Sequence, residues 1–288
     1  MFRGLPLILR LLLLFPACLW LGCAHAEDAD GAGQEKVETE HIFGFTEGTD
    51  IGEKGEQEFE STTVGLLGQT GGYTAFSNES AYRNVILDGF RLSFSAVPEY
   101  YGVQDMPGLA NRNRLDLGGF SSELRWQFSD RTSFPIGLSV SLMPEWRRLD
   151  DPTGAIADGF EMPAAIAMDA ALVPDKLFWA SNLIYDPSIL RTGGAWERDT
   201  SFEVSDAASY ALTPDVFVGA EIRYLSWDNQ GLLSARGLFA GPSLYMKFSK
   251  TTALKVAWSA EISNETVYGP GLPNFERNQV IVLFVKSF

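Results

Sequence analysis

The chain has 288 residues, with 22 Lys and Arg against 37 Asp and Glu, two Cys and two His. A net charge of −15 is the opposite of the basic footprint that nucleic-acid binding needs, so no nucleic-acid partner is expected. Beyond residue 26 no apolar run approaches the roughly 20 residues of a membrane helix, so any membrane crossing must use strands.

Met1-Phe2-Arg3-Gly4 is short and basic, Arg10 adds a second charge, residues 11–21 are almost wholly apolar, and Ala24-His25-Ala26 fits the small-x-small cleavage rule. This reads as a signal peptide over residues 1–26. A lipoprotein leader is the competing reading, because Gly22 precedes Cys23, but Trp20 and Leu21 fit such a box poorly. With the leader go Cys18 and Cys23, so the secreted chain has no disulfide and no thiol chemistry. The leader holds Arg3 and Arg10 and no acid, which leaves 20 basic against 37 acidic residues. His41 is then the one remaining histidine, and near an acidic N-terminus it reads as solvated.

Residues 27–56 form an acidic, flexible segment or a short plug. Residues 27–40 are polar and lack the apolar content to order themselves. Residues 41–56 mix Phe43, Phe45 and Ile51 with glycines and acids. Three roles fit: a lead-in to the first strand, a plug at one mouth of a barrel, or a partner-binding tail; the lead-in is the plainest. The glycine spacing matches no phosphate loop, and Asp50-Ile51-Gly52-Glu53 lacks the acid spacing of a calcium loop, so neither metal nor cofactor is expected.

From residue 57 to 288 the pattern is β. In residues 136–147, Ile136, Leu138, Val140, Leu142, Pro144 and Trp146 alternate with Gly137, Ser139, Ser141, Met143, Glu145 and Arg147. Residues 90–101, 122–129, 238–248 and 254–263 alternate in the same way, with Ser, Gly and charge on the second face. An apolar face paired with a small, polar one is what a lipid-facing barrel strand requires. Five tight polar links, at Asp88-Gly89, Asp130-Arg131-Thr132, Pro174-Asp175-Lys176, Thr213-Pro214-Asp215 and Lys250-Thr251-Thr252, carry turn chemistry. Longer connections fall between them, near residues 102–113, 150–158, 192–199, 229–234 and 268–275. Short turns at one end and longer loops at the other predict a closed antiparallel up-and-down transmembrane barrel of about twelve strands, with ten as the alternative. Their predicted limits are about 57–67, 73–87, 90–101, 116–129, 134–148, 160–173, 177–189, 200–212, 216–227, 237–249, 253–266 and 276–288. An even count places both termini at the tight-turn, periplasmic side. Tyr100, Trp146, Tyr185, Trp227 and Tyr268 toward the long loops, and Trp126, Phe128, Phe134, Trp179, Tyr210 and Phe248 toward the turns, suggest two aromatic belts.

The chain closes on Val280-Ile281-Val282-Leu283-Phe284-Val285-Lys286-Ser287-Phe288, a strand ending on an aromatic residue. In this it resembles the porin-like bacterial outer-membrane β-barrels, and residues 41–56 look like the opening of an uncharacterised barrel family of α-proteobacteria. The resemblance implies an outer-membrane location in a Gram-negative bacterium, outer-membrane lipid as surroundings, and Phe284 and Phe288 as the signal read by the barrel-insertion machinery.

If these registers hold, the inward faces carry Arg91, Glu99, Glu123, Arg125, Glu145, Arg147, Glu203, Glu221, Arg223, Lys247, Lys255 and Glu261, with Glu161 and Asp169 beside them. Glu99, Glu203, Glu221, Arg223 and Glu261 fall at similar heights near the middle. Charges there must be wet or paired. They line a water-filled path or interlock as a plugged ion-pair core, and the sequence leaves both open. Acids slightly outnumber bases, so a mildly cationic preference is expected. A porin-like passive channel for small polar solutes or ions is the leading function. An occluded anchoring barrel, with the loop around residues 105–114 binding a partner, is the alternative. An enzyme is not expected, since His41 lies ahead of the first strand and a Ser-His site would need that segment to fold onto a strand.

Overall fold

A computed structural model describes residues 37–68, 72–106, 109–131, 133–151, 153–229, 232–266 and 276–288. The leader, residues 27–36 and Tyr268 lie outside the described residues. There are fourteen strands: β1 (Gln57–Leu67), β2 (Gly72–Leu87), β3 (Phe90–Gln104), β4 (Arg112–Ser129), β5 (Gly137–Leu142), β6 (Glu145–Asp150), β7 (Ala155–Glu161), β8 (Ala164–Val173), β9 (Leu177–Arg191), β10 (Glu197–Thr213), β11 (Val216–Asn229), β12 (Leu232–Ser249), β13 (Thr252–Thr266) and β14 (Asn278–Ser287). All pair antiparallel, and β14 returns to β1 over Glu58↔Ser287 to Leu67↔Asn278, so the sheet closes on itself.

Fourteen strands make twelve staves. β5 and β6 meet β4 in one continuous register, Leu124↔Leu142 leading to Ser121↔Glu145. β7 and β8 likewise share one register along β9, Ala164↔Tyr185 leading to Glu161↔Ser188. Each pair is a single stave interrupted at a proline, Pro144 or Pro163. Proline has no N–H to give the ladder. The neighbours still donate across the break, Ser122 N–H to Pro144 O (3.1 Å), Met143 N–H to Pro163 O (2.8 Å) and Met162 N–H to Pro187 O (3.1 Å), and receive nothing in return.

Alternation places apolar side chains outward, with Phe94, Trp126, Phe128, Tyr185, Tyr210 and Phe248 among the exposed ones. Two of the expected belt residues differ. Trp179 is buried, and Trp227 turns inward to line an internal cavity. The strands also run further toward the long-loop end than predicted, with β3 reaching Gln104 and β12 starting at Leu232. Extra ladder hydrogen bonds favour that extension over exposed loop backbone.

Candidate functional site: a plugged lumen beneath an acidic cavity

The tight-turn half of the lumen is filled by the plug, residues 37–56, whose stretch 39–51 lies inside while Gly52, Glu53, Lys54 and Gly55 are exposed on the way to β1. Thr39, Glu40, His41, Ile42, Phe43, Thr46, Thr49 and Asp50 are all buried there. Three kinds of contact hold this plug. The first is apolar: Ile42 and Phe43 pack with Phe178, Ala180, Ala207 and Phe217 from β9 to β11.

The second is a set of side chains that hydrogen-bond the plug backbone. Glu221 accepts from the Phe45 N–H (2.8 Å) and Thr46 N–H (3.1 Å). Asn182 engages both polar groups of Glu47, accepting from its N–H (2.7 Å) and donating to its carbonyl (2.8 Å). Ser209 donates to Ile42 O (2.7 Å). Asp169 accepts from the Thr49 N–H (3.1 Å), the Thr49 hydroxyl (2.9 Å) and the Thr39 hydroxyl. Close approach of the chains demands glycine at two points. A Cβ on Gly44 would lie 2.6 Å from the Glu221 carboxylate, and one on Gly137 would collide with Thr49 and Asp169.

The third is ionic. Glu40, fully buried, is gripped by both Arg91 guanidinium nitrogens at 2.6 Å, by Arg83 at 2.9 Å and by Arg125 at 3.2 Å. A forked, charge-assisted pair of this kind is among the strongest polar contacts a protein makes. Burial alone would raise the Glu40 carboxyl, but Arg91, His41, Arg125 and Arg83 outweigh it and hold it well below the ordinary carboxylate range. His41 lies 3.1 Å from Glu60. Burial pushes its imidazole down, yet Glu60 and Glu40 win and raise it to about 9. The expected solvated histidine is therefore a buried cation. Glu40, His41 and Glu58 bring ligand atoms within 4.8 Å of one another. They suit a metal poorly, since three guanidiniums occupy Glu40 and His41 keeps its proton.

Above the plug, toward the long loops, a cavity of about 300 Å³ is lined by Asp151, Glu161, Asp186, Asp199, Glu203 and Glu276, with Arg147 among them and Tyr73, Leu149 and Trp227 as apolar wall. Arg147 reaches Glu99 (3.2 Å), Glu161 (3.2 Å) and Asp151 (3.3 Å), with Glu145 farther off at 3.9 Å. Between cavity and plug, Arg223 donates to Glu203 (2.8 and 3.1 Å) and to Gln279 (2.7 Å), and its guanidinium lies 4.0 Å from the centroid of the Phe45 ring.

Of the residues singled out from sequence, Arg91, Arg125 and Glu123 meet at the plug. Glu99, Glu145 and Arg147 meet in the upper cluster, and Glu203, Glu221 and Arg223 lie at the boundary. Lys255 is buried on the inner face of β13, and Lys247 is half-buried on β12. Glu261 lies on β13 in register with Phe239 of β12, which pairs in turn with Arg223 of β11, and its N–H donates to Arg277 O (2.8 Å). Sequence reasoning missed Glu40, Glu60, Arg83 and Arg131 as lumen residues. The alternation of Glu58 and Glu60 around outward Phe59 is a signal that could have found one of them.

The family model matches residues 35–277, from the start of the plug to the edge of β14. The chain belongs to DUF6662, a family of unknown function. No curated protein matches it. Among solved structures, the COG4313 outer membrane channel from Pseudomonas putida F1 is similar at 12% identity and a TM-score of 0.59, over 83% of this chain and 98% of that one. The NanC porin aligns at 9% identity and 0.48, over 80% and 98% of the two chains. The KdgM porin aligns at 13% identity and 0.46, over 80% and 99%. The likeness is one of fold: this member of DUF6662 is an outer-membrane-type β-barrel.

Proposed function

We propose that the chain is a porin-like outer-membrane channel for small polar solutes or ions, with residues 37–56 as a resident plug. The observation that carries this reading is the inverted wall: apolar side chains outside, charge and hydroxyls inside, and a cavity lined by carboxylates above the plug. Such a wall has no use in a soluble protein, where the apolar face would be the core. In this reading Val37, where the described chain begins, and Phe288 are at the periplasmic side with the tight turns, and Phe284 and Phe288 on the closing strand serve the insertion machinery. Kinship with the α-proteobacterial barrels rests on residues 41–56.

Steady single-channel conductance of the refolded chain in a planar bilayer is the expected result, with a mild cation preference that falls when Glu203→Gln is introduced. Absence of conductance across salts and voltages, in the native chain and in one lacking residues 37–50, overturns it. A second reading, an occluded anchoring barrel, is favoured by the density of ion pairs around Glu40; it requires the same null conductance in the native chain. An enzymatic role gains no support from His41, which is spent on Glu60.

A further inference from the structure

The outer wall has a polar patch. Glu60 of β1 and Arg83 of β2 point inward to His41 and Glu40 of the plug. Alternation therefore turns Ser61, Thr63, Asn78 and Ser80 to the lipid side, the side on which Phe59, Phe76 and Tyr82 are exposed. There the four side chains form one network. The Asn78 amide donates to the Ser61 hydroxyl (2.9 Å) and the Thr63 hydroxyl (2.9 Å), and its carbonyl accepts from Ser80 (2.9 Å). Rings flank the network on both sides. Phe59 pairs with Tyr82 toward the tight turns, and Gly65 with Phe76 toward the long loops. A Cβ on Gly65 would lie 2.8 Å from the Phe76 ring, which in turn sits 6.5 Å from that of Tyr100. With Trp126 exposed beside the Asp88-Gly89 turn, the patch falls between the two aromatic belts, within the hydrocarbon band. The corresponding outward positions elsewhere are apolar, as Ile166 and Met168 on β8 and Leu254, Val256 and Trp258 on β13 show.

Amides and hydroxyls facing hydrocarbon are costly unless each finds a partner. The network spends both N–H groups of Asn78 and one lone pair of its carbonyl. It leaves the second lone pair of that carbonyl and the hydroxyl protons of Ser61 and Thr63, which go to no acceptor among the described residues. The patch thus keeps two donors and one acceptor side by side. Acyl chains offer neither kind of group, and lipid headgroups lie at the wrong depth. A second copy of this chain carries the same three groups at the same depth. A two-fold axis normal to the membrane sets the hydroxyls of each copy against the carbonyl of the other, a self-complementary contact. Hydrogen bonds of this type join polar side chains between membrane segments.

We propose that two copies of this chain pair in the membrane through the outer faces of β1 and β2, with Ser61, Thr63 and Asn78 of each copy hydrogen-bonded across the axis. The proposal rests on the wall facing lipid and not on conductance, so it is tested apart from the channel reading. The contact lies beside the β1–β14 seam at which the sheet closes. Each copy keeps its own lumen and its own plug.

Single cysteines test the contact in outer membranes, using the full chain with Cys18→Ser and Cys23→Ser so that no native thiol interferes. Ser80→Cys, which spares the three groups that cross the axis, is oxidised with copper phenanthroline. It is expected to give at least tenfold more disulfide-linked homodimer than Ile166→Cys, which lies across the barrel. Adding Asn78→Leu to Ser80→Cys should lower the yield at least tenfold. Adding Thr63→Val, which removes one of the two donors, should lower it less. Both changes place an apolar group on a lipid-facing wall, so heat-modifiable gel mobility should be kept. Ser61→Trp, which obstructs the face and leaves Asn78 in place, is the second variant and should lower the yield as Asn78→Leu does. Equal yields at positions 80 and 166 overturn the proposal. So does a yield at position 80 that neither Asn78→Leu nor Ser61→Trp reduces. A disulfide from Ser80→Cys to a different protein, with no homodimer, overturns it as well and assigns the patch to another partner.

Discussion

The two halves of the lumen draw on the same kind of wall and satisfy it differently. At the tight-turn end, Arg83, Arg91 and Arg125 project from three adjacent strands and converge on one carboxylate, that of Glu40, brought from outside the sheet. At the long-loop end the excess is reversed: Asp151, Glu161, Asp186, Asp199 and Glu203 surround Arg147, and the space between them is open. Like charges on neighbouring strands are destabilising unless something intervenes. In one half the intervening matter is a piece of the same chain, and in the other Arg147 stands alone among the acids beside an open cavity. A barrel wall alone therefore does not decide whether a lumen is filled. The sign and crowding of its inward charges decide what can fill it.

Removing the plug should separate the halves most sharply. Deletion of residues 37–50 leaves three guanidiniums facing solvent and is expected to raise single-channel conductance more than any point substitution, while the barrel keeps its heat-modifiable mobility. If conductance stays at the native level, the plug is not what limits flow. Next in size is Glu40→Ala. Removing one partner of a buried ion-pair cluster costs about 3–5 kcal/mol, set against plug docking and not against barrel closure. Hydrogen exchange at the Phe45 and Thr46 amides, which are protected by Glu221, should rise accordingly. Glu203→Gln, in the open half, should leave those amides untouched.

Gly137→Val inserts a side chain where Thr49 and Asp169 meet, and overpacking there should weaken docking by about 1–3 kcal/mol. The same exchange measurement reads it. The effect of pH is smaller and has a defined sign. His41 faces Glu60, Glu40 and Glu58, with Arg83 also bound to Glu60. Its folded value, about 9, lies above its ordinary one. Its contribution to docking is complete below about pH 6.5 and is lost as pH rises through 9. The protection factor at Thr46, its exchange rate corrected for the intrinsic rate at each pH, should therefore fall between pH 7 and 10 in the native chain and be flat over that range in His41→Gln. The smallest expected effect is that of Ser209→Ala, which removes one hydrogen bond to the plug and costs about 1 kcal/mol.

Much of this architecture was legible residue by residue. Period-two alternation located nearly all of the wall, and the tight links at residues 88–89, 174–176 and 213–215 fixed where it reverses, because both are local properties of a chain crossing lipid. Pro144 shows where local reading stops. Alternation alone puts it on the outer face of one strand over 134–148, and its missing N–H splits that strand into β5 and β6. The sequence also located the inward position of Lys255 but not the Glu47, Glu60 and Glu221 carboxylates whose charge reaches it, since these come from segments distant in the chain.

What the sequence determined by itself is the solvent arrangement, apolar out and polar in, because every barrel strand must carry that pattern within its own few residues. Only the tertiary structure decided that residues 37–56 enter the lumen. Glu40 meets Arg83, Arg91 and Arg125 across 43, 51 and 85 positions of chain, and no periodicity in residues 37–56 encodes those partners. A short acidic, glycine-rich segment is a disordered tail in water. It becomes a plug only where a closed ring of strands gathers enough positive charge, and enough room beside its glycines, to receive it.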